Sequence, residues 1–339
     1  MKAIEIVAPG ELRITERPLP GPPAAGEAVV RIRAAGICGS DVHILHGRNP
    51  FATYPRIIGH EAAGEVCRIG EGVHGLGPGD AVAVDNVFAC GACYACRAGR
   101  PNVCRQVSVL GVHRDGVFQE YIAVPAANLH KLPAGIPWDQ AATVETFSIG
   151  AQAVSRGQVR RGESVLICGA GPTGLVSLQA ARRLGARIAV TDTLDARLDR
   201  ARALGADLAL NPVRDDVVAR IMDFTGGEGA NVIIEATGVV SVLEQAAARL
   251  ASQAGRIVVL GFPAEAAKIV PADIMRRELD IRGSRLNNRQ FPAVIAWLAG
   301  REIDPAAIIS HTLPFTAVAE GMRLFADDPA AACKIILTF

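Results

Sequence analysis

The pattern of hydrophobic and polar positions changes near residue 150. Before that point, short apolar runs are broken by Gly and Pro, as in AVVRIRAAG, EAAGEVCRIG, DAVAVD and FQEYIAV. After it, short apolar runs alternate with stretches of helical periodicity. The first pattern predicts a twisted, mostly antiparallel β domain, and the second predicts right-handed βαβ crossovers and a doubly wound parallel sheet. The chain is therefore predicted to be an α/β protein with two domains.

The second domain contains six candidate strands, which are SVLIC, RIAVTD, DLAL, NVIIEA, RIVVLG and LDIRG. Helices that end near Leu184 and Leu204 are predicted to follow the first two. We place the β domain at 1–150 and the parallel-sheet domain at 151–285. The segment 286–339 predicts a helix, the run HTLPF, a second helix and a closing strand, CKIILTF. We expect it to return to the first domain, although the pattern alone does not decide this.

Length and charge narrow the possible functions. A chain of 339 residues can form two domains that each bury a core. The net charge of +1 gives no reason to expect nucleic acid or an acidic membrane surface as a partner. The uncharged segment 164–181 is long enough to suggest a membrane span, but its glycines and proline fit the loop described below. The first residues lack a signal-peptide core, so we expect a cytoplasmic location, where thiols stay reduced.

Four cysteines lie close together in the run CGACYACRAGRPNVC, namely Cys90, Cys93, Cys96 and Cys104. Thiolates at this spacing can surround one Zn²⁺ tetrahedrally, and the metal can then hold a lobe that has little apolar core. Coincidence and disulfides are the alternatives, but thiols this clustered crosslink poorly with one another. A closed four-sulfur shell leaves no position for a substrate, so the cluster predicts a structural zinc site.

A second candidate metal site lies in the first domain. Cys38 occurs in AAGICGSDVH, and His60 and Glu61 occur in YPRIIGHEAAGEV. A thiolate, an imidazole and a carboxylate suit a catalytic Zn²⁺ that keeps a position open for water or substrate. The spacing alone leaves this open, because isolated Cys and His are common in cores. Glu145, in AATVETFSIG, could reach the same ion or could serve only as a negative charge at a helix N-terminus.

A phosphate-binding signature follows the first strand of the second domain. Gly169, Gly171 and Gly174 form GAGPTG directly after SVLIC and open the next helix. These glycines permit a tight turn, a close approach of pyrophosphate and close helix packing, and the helix N-terminus offers free N–H groups. The next strand ends in Asp192, whose carboxylate can bind ribose hydroxyls and repel a 2′-phosphate, which favours NAD over NADP. Arg197 could still tolerate the phosphate, and Asp192 could instead cap a helix.

Together these motifs resemble the zinc-dependent medium-chain dehydrogenase/reductase superfamily of alcohol dehydrogenases over essentially the whole chain. GHEAAGEV is similar to its zinc signature and GAGPTG to its coenzyme loop, with Thr173 where Ile is more usual. VETFSIGAQAV resembles the polyol and sugar dehydrogenase branch. LGVHRDGVFQEYIAVP and GSRLNNRQFP resemble bacterial enzymes of the starvation-sensing RspB and galactonate-oxidoreductase type. The resemblance implies a GroES-like catalytic domain, a Rossmann domain, a cleft between them, and a homodimer or homotetramer.

The resemblance also implies roles for individual residues. Cys38, His60 and Glu61 would hold the catalytic zinc, with Glu145 as a ligand or as a group that exchanges with Glu61 or water. Ser40 and His43 would form a proton relay, although a polar turn after a strand is the alternative. Residues in EATG and VVLGF would line the nicotinamide pocket, although ordinary turn chemistry could also explain them. The implied coenzyme-binding set is Gly169, Gly171, Pro172, Thr173, Gly174, Asp192, Arg197, Thr237, Gly238, Leu260, Gly261, Phe262, Ser284 and Arg285.

The implied reaction is hydride transfer between a secondary alcohol of a polyol or sugar acid and NAD, with one catalytic and one structural Zn²⁺ in each chain. An aromatic content of 4% argues mildly against a pocket for a large apolar alcohol. A sugar acid would need a cation, for which Arg56, Arg114 and Arg285 are candidates, although each could be a surface charge. The alternatives are an amino-alcohol dehydrogenase of the L-threonine type and a non-catalytic, cofactor-binding regulatory protein.

Overall fold

The computed structural model describes residues 1–339, which form two compact units. The first unit consists of Met1–Glu145, Asn287–Arg301 and Ile308–Phe339. The second unit consists of Thr146–Leu286 and Glu302–Ala307. None of the helices combines the length and the apolar composition that are needed to cross a membrane.

The structure contains 18 strands of 2 to 11 residues. They are β1 Lys2–Ala8, β2 Glu11–Glu16, β3 Glu27–Ile37, β4 Arg56–Ile57, β5 Glu61–Ile69, β6 Ala81–Val84, β7 Val87–Phe88, β8 Ser108–Val109, β9 Tyr121–Pro125, β10 Leu129–Lys131, β11 Ser164–Cys168, β12 Arg187–Thr191, β13 Leu208–Leu210, β14 Ala230–Glu235, β15 Ala251–Val259, β16 Asp280–Gly283, β17 Ile309–Pro314 and β18 Lys334–Thr338.

All helices of eight or more residues begin after residue 143. The α-helices are α1 Gly39–Leu45, α2 Tyr94–Arg97, α3 Trp138–Ala142, α4 Val144–Gly157, α5 Pro172–Arg183, α6 Asp195–Ala203, α7 Val217–Phe224, α8 Val240–Gln245, α9 Pro271–Arg277, α10 Phe291–Ala299 and α11 Val318–Asp327. Short 3₁₀ turns cover Pro101–Val103, Ala126–Asn128, Ala306–Ile308 and Phe315–Ala317, and a π-helical turn covers Ala246–Leu250.

The first unit is built on a mostly antiparallel sheet, as the sequence predicts. Its strand order is β10-β6-β5-β3-β18-β17, and β9 also pairs with β3. Smaller sheets of order β2-β1-β4 and β7-β8 complete this unit. The closing strand β18 pairs antiparallel with β3, with Ile335 opposite Ile37. The end of the chain therefore lies beside the strand that leads into Cys38.

The second unit contains a parallel sheet of six strands in the order β13-β12-β11-β14-β15-β16. Every neighbouring pair is parallel, so the predicted doubly wound sheet is confirmed. β11 is buried along its whole length, which is typical of parallel strands covered by helices on both faces. One boundary differs from the prediction, because β15 begins at Ala251 rather than near Arg256. All six strands end at one edge of the sheet, where ligands of such folds bind.

Candidate metal centres and coenzyme loop

The four clustered cysteines form a compact sulfur shell around α2 and the turn that follows it. Their Sγ atoms all lie within 4.8 Å of one another. The Sγ of Cys93 lies 3.5 Å from that of Cys96 and 3.8 Å from that of Cys104. A tetrahedral Zn²⁺ with Zn–S bonds of about 2.3 Å requires sulfurs about 3.8 Å apart. All four are free thiols, so disulfides do not form here, and the donor set fits one zinc ion.

Local electrostatics act in opposite directions on two of these sulfurs, favouring the thiolate at Cys93 and the thiol at Cys96. The backbone N–H groups of Cys90 and Cys93 approach neighbouring sulfurs at 3.3 and 3.4 Å. Backbone N–H groups, with that of Arg105 first, lower the pKa of Cys93 to about 6. Burial raises the pKa of Cys96 to about 12. A bound divalent cation would displace the thiol proton, because the thiolate is the form that binds metal.

The second cluster joins Cys38, His60 and Glu61, whose donor atoms lie within 4.8 Å of one another. The pairing of β3 with β5 explains this, because it places Gly36 opposite Glu61 and brings the two strand ends together. A Cβ on Gly36 would stand 2.2 Å from Oε2 of Glu61, so only glycine leaves room for this carboxylate. A thiolate, an imidazole and a carboxylate at this separation fit a zinc ion with an open coordination position.

Asp41, which the sequence analysis did not single out, connects the two loops of this cluster. It is fully buried in α1, and its two carboxylate oxygens accept the backbone N–H groups of Cys38, at 2.9 Å, and Gly59, at 3.2 Å. Its Oδ1 lies 3.7 Å from Nδ1 of His60, a buried atom without a hydrogen-bond partner. Ligating histidines commonly direct their second nitrogen towards a carboxylate, which fits this arrangement. The available signal was an acidic residue three positions after a candidate ligand.

At His60, neighbouring charges and burial shift the pKa in opposite directions. Burial by itself lowers the pKa of His60, but the charge of Asp41 and the contact with Cys38 outweigh it, and the pKa is raised well above its ordinary value. Burial raises the pKa of Asp41. A zinc ion would therefore compete with a proton for His60, and binding should weaken as the pH falls.

Lys334 is the second residue that the sequence analysis missed. It is 1% exposed, and its Nζ donates to both oxygens of Glu61, at 2.7 and 2.8 Å, and to the carbonyl of Ile37, at 3.2 Å. Burial lowers its pKa, but the charge of Glu61 outweighs this and raises the pKa to about 12. Glu61 therefore has an ammonium partner and also belongs to the set of three proposed metal ligands. The signal was a lysine within the apolar strand CKIILTF.

Glu145 lies in the first turn of α4 and is 4% exposed. Nδ2 of Asn86, itself fully buried, donates to Oε1 of Glu145 at 3.0 Å. Burial raises the pKa of Glu145 to about 7, and the charge of His60 acts in the opposite direction. The structure thus brings Glu145 within electrostatic range of the cluster, although its carboxylate is outside the set of three whose donor atoms lie within 4.8 Å.

The residues of the suggested proton relay lie on α1, immediately after Cys38. Ser40 and His43 are three positions apart and so share one face of the helix. Oγ of Ser40 is buried and has no hydrogen-bond partner, whereas His43 is exposed. Burial, and then the charges of Arg48 and His46, lower the pKa of His43. A neutral imidazole at ordinary pH can accept a proton.

The glycine loop of the second unit has the geometry that the sequence predicts. Gly169 has a φ of +99°, and its N–H donates to the carbonyl of Thr191 at 2.7 Å. A Cβ on Gly174 would stand 1.8 Å from the carbonyl oxygen of Gly169, so the turn requires glycine there. α5 begins at Pro172, and its free N–H groups open at the carboxyl edge of the sheet. Thr173 lies in the first turn of this helix.

Asp192 follows β12 beside this loop and is 9% exposed. One carboxylate oxygen accepts the N–H of Ala170 at 2.8 Å, and the other accepts that of Leu194 at 2.9 Å. Nη1 of Arg197 lies 3.6 Å from the carboxylate of Asp192. The carboxylate of Asp192 thus joins the glycine loop to the turn before α6, and it keeps further lone pairs that can accept hydrogen bonds from another donor.

The other candidate coenzyme residues follow β14, β15 and β16 at the same edge of the sheet. Thr237 and Gly238 follow β14, the segment Leu260–Gly261–Phe262 follows β15, and Ser284 and Arg285 follow β16. Oγ of Ser284 is buried and has no hydrogen-bond partner, and Phe262 is 76% exposed.

The candidate cations for a sugar acid have structural partners of their own. Arg56 pairs with Asp115 at 3.1 Å, and the guanidinium of Arg114 lies 4.2 Å from the ring centroid of Phe88. Arg285 is exposed at the end of β16.

Two family models match the chain. The alcohol dehydrogenase GroES-like domain matches residues 24–134, and the zinc-binding dehydrogenase model matches residues 172–300. The predicted combination of a GroES-like β domain with a Rossmann domain is therefore confirmed.

Relatives match over most or all of their length. The starvation-sensing protein RspB of Escherichia coli K12 is 43% identical over 100% of this chain and 99% of its own. L-galactonate-5-dehydrogenase of the same strain is 35% identical over 98% of this chain and 97% of its own length. L-threonine 3-dehydrogenase of Pyrococcus horikoshii is 42% identical over 77% of this chain and 76% of its own length. A crystal structure of RspB from E. coli CFT073, complexed with the cofactor NADH, has a TM-score of 0.94 at 41% identity over 100% and 99% of the two chains.

Proposed function

The chain belongs to the zinc-type medium-chain dehydrogenases, and we propose that it oxidises a secondary alcohol of a polyol or sugar acid with NAD. The carrying observation is the convergence of Cys38, His60 and Glu61, with donor atoms within 4.8 Å, in a chain that also has a complete glycine loop after β11. The first arrangement suits an open zinc site and the second suits a dinucleotide.

Cys38, His60 and Glu61 would hold the catalytic zinc. Glu145 would be a further ligand or would exchange with Glu61 or water. Cys90, Cys93, Cys96 and Cys104 would hold the structural zinc. When bound, Zn²⁺ supplies a Lewis acid that makes an alcohol hydroxyl more acidic, and NAD supplies a hydride acceptor. The protein must bind and orient the alcohol, accept its proton and exclude water.

The proton would leave along α1. Oγ of Ser40 is buried and unpartnered, so it can accept a hydrogen bond from a substrate hydroxyl without breaking one in the protein. His43, exposed on the same face of the helix, would pass the proton to solvent, and its lowered pKa keeps the ring neutral and able to accept it. Asp41 would hold the imidazole of His60 in place, and Lys334 would hold the carboxylate of Glu61.

In the second unit, the N–H groups of the glycine loop and α5 would bind the pyrophosphate. Asp192 would bind the adenosine ribose and favour NAD over NADP, with Arg197 beside it. The turns after β14, β15 and β16 would contact the nicotinamide half, through Thr237, Gly238, Leu260, Gly261, Phe262, Ser284 and Arg285.

The substrate class is supported by a relative that is named for a sugar acid, L-galactonate. The low aromatic content of the chain, 4%, is consistent with a polar substrate. A panel of sugar acids and polyols, followed by the absorbance of NADH, tests the proposal directly. We expect one of these compounds to reduce NAD in the zinc-loaded enzyme and not in its Cys38→Ser variant. Equal turnover in the variant, or no turnover with any such compound, would overturn the proposal.

L-threonine is the second candidate substrate, because a threonine 3-dehydrogenase is 42% identical over 77% of the chain. An amino alcohol and a sugar acid differ in the charge beside the reacting carbon, so the same panel with L-threonine added separates them. A higher kcat/KM for L-threonine than for every polyol and sugar acid would select this candidate.

The proposal includes a cytoplasmic location, which is supported by eight cysteines that are all free thiols. It also includes a homodimer or homotetramer, which light scattering of the purified protein tests.

A further inference from the structure

Glu235 is a buried carboxylate in an unusual place for an acidic side chain. It is the last residue of β14, in the centre of the parallel sheet, and it is 1% exposed. No lysine or arginine forms an ion pair with it. A buried charge without a cation costs free energy unless hydrogen-bond donors surround it, so its donors show what the carboxylate does.

The side chain of Glu235 fixes the turn that follows its own strand. Its Oε1 accepts the N–H groups of Thr237, at 2.7 Å, and Gly238, at 3.0 Å, and also the hydroxyl of Thr237. That hydroxyl accepts the N–H of Val239 at 3.0 Å. Three donors on two consecutive residues therefore converge on one oxygen.

The backbone of Glu235 fixes the neighbouring turn. Its carbonyl accepts the N–H groups of Leu260, at 2.9 Å, and Gly261, at 3.3 Å, in the turn after β15. A Cβ on Gly261 would stand 2.3 Å from Cα of Gly238 and 2.6 Å from Oε2 of Glu235. The two turns thus pack backbone against backbone, with the carboxylate of Glu235 beside their contact.

These turns lie next to the glycine loop. The N–H of Ala236 donates to the carbonyl of Cys168 at 2.9 Å, and a Cβ on Gly169 would stand 3.2 Å from Cγ2 of Thr237. In a doubly wound sheet, β11 to β13 form the half that takes the adenosine and β14 to β16 form the half that takes the second nucleotide. Glu235 therefore lies where the nicotinamide half would bind.

We propose that Glu235 is a positioning residue of the coenzyme site, which holds the turns at Thr237–Gly238 and Leu260–Gly261 in the shape that receives the nicotinamide half of NAD. It acts through the turns, because the carboxylate is too buried to touch the coenzyme. This inference rests on the proposed use of NAD.

The test compares the binding of NAD with that of AMP, which occupies only the adenosine half, by titration calorimetry of the purified protein. Glu235→Ala leaves three donors without an acceptor, so we expect its Kd for NAD to rise about tenfold while its Kd for AMP stays within about twofold. In Glu235→Gln the amide oxygen can accept from the same donors, so NAD binding should stay within about threefold of the wild type. Glu163→Ala is the matched control, because Glu163 pairs with Arg256 just before β11, at the opposite edge of the sheet. It should leave the NAD-to-AMP affinity ratio unchanged.

Wild-type NAD affinity in Glu235→Ala, or an equal loss of NAD and AMP, would overturn the positioning role. A loss of NAD affinity in Glu235→Gln as large as in Glu235→Ala would also contradict it. If Glu235→Ala does not fold, Glu235→Asp keeps a carboxylate but draws it back from the N–H groups of Thr237 and Gly238, and it should weaken NAD by about threefold with AMP unchanged. If the wild type itself binds no NAD, the proposed function fails as well. If it binds and reduces NAD while the variants keep the wild-type affinity ratio, only this inference fails.

Discussion

The buried ion pair between Lys334 and Glu61 gives the sharpest prediction for stability. Both residues are 1% exposed, and Nζ donates to both carboxylate oxygens at 2.7 and 2.8 Å. Lys334→Met fills the same space but leaves a buried carboxylate with no cation. Removing one partner of such a pair costs about 3 to 5 kcal/mol, so we expect a loss of this size in the metal-free protein.

The expected loss of stability in Lys334→Met is large because the ion pair is buried, and an exposed ion pair should contribute much less. Lys131 and Asp80 provide the matched control, because they lie 2.6 Å apart but the side chain of Lys131 is 57% exposed. Lys131→Met should cost at most about 1 kcal/mol, since water screens an exposed pair. The double variant Lys334→Met/Glu61→Gln should recover part of the loss, because a neutral amide leaves no unpaired charge.

Equilibrium denaturation followed by tryptophan fluorescence measures the effect. Both tryptophans of the chain, Trp138 and Trp297, belong to the first unit, so the signal reports the unit that contains the pair. Zinc loading should reduce the loss in Lys334→Met, because a bound cation neutralises the same carboxylate. A loss below about 1 kcal/mol in the metal-free variant, or a double variant as unstable as the sum of the single variants, would show that the buried charge of Glu61 does not need Lys334.

Three further predictions concern activity and binding. His60→Ala should abolish turnover, while NAD binding measured by fluorescence should stay unchanged. Turnover at the wild-type rate in this variant would remove the catalytic-zinc assignment. Asp192→Ala should weaken NAD by about tenfold and NADP less, because the carboxylate attracts ribose hydroxyls and repels a 2′-phosphate, whereas equal losses would contradict that role. The pKa of His43 is lowered, so the relay should work above that pKa and fail as the pH falls through it. The acid limb of the kcat/KM profile should move in His43→Gln, and an identical profile would exclude His43 from proton transfer.

The sequence predicts the cysteine cluster and the glycine loop because the residues that form each of them are close together in the chain. The spacing of Cys90, Cys93 and Cys96 within one short run brings their sulfurs together, and the glycine loop needs only a strand before it and a helix after it. Parallel strands likewise show as continuous apolar runs between helices, which is why the six strands of the second unit are recognisable.

Long-range partners are not readable in this way. Glu61 and Lys334 are 273 positions apart in the chain, and only the pairing of β18 with β3 and of β3 with β5 brings them together. The proposed role of Glu235 is also not readable from the sequence, because it depends on two turns that meet only after β14 and β15 pair. Sequence alone determined the types of the donors and the elements that carry them. Tertiary structure decided which buried charges neutralise one another, because burial and the alignment of distant strands are properties of the folded chain.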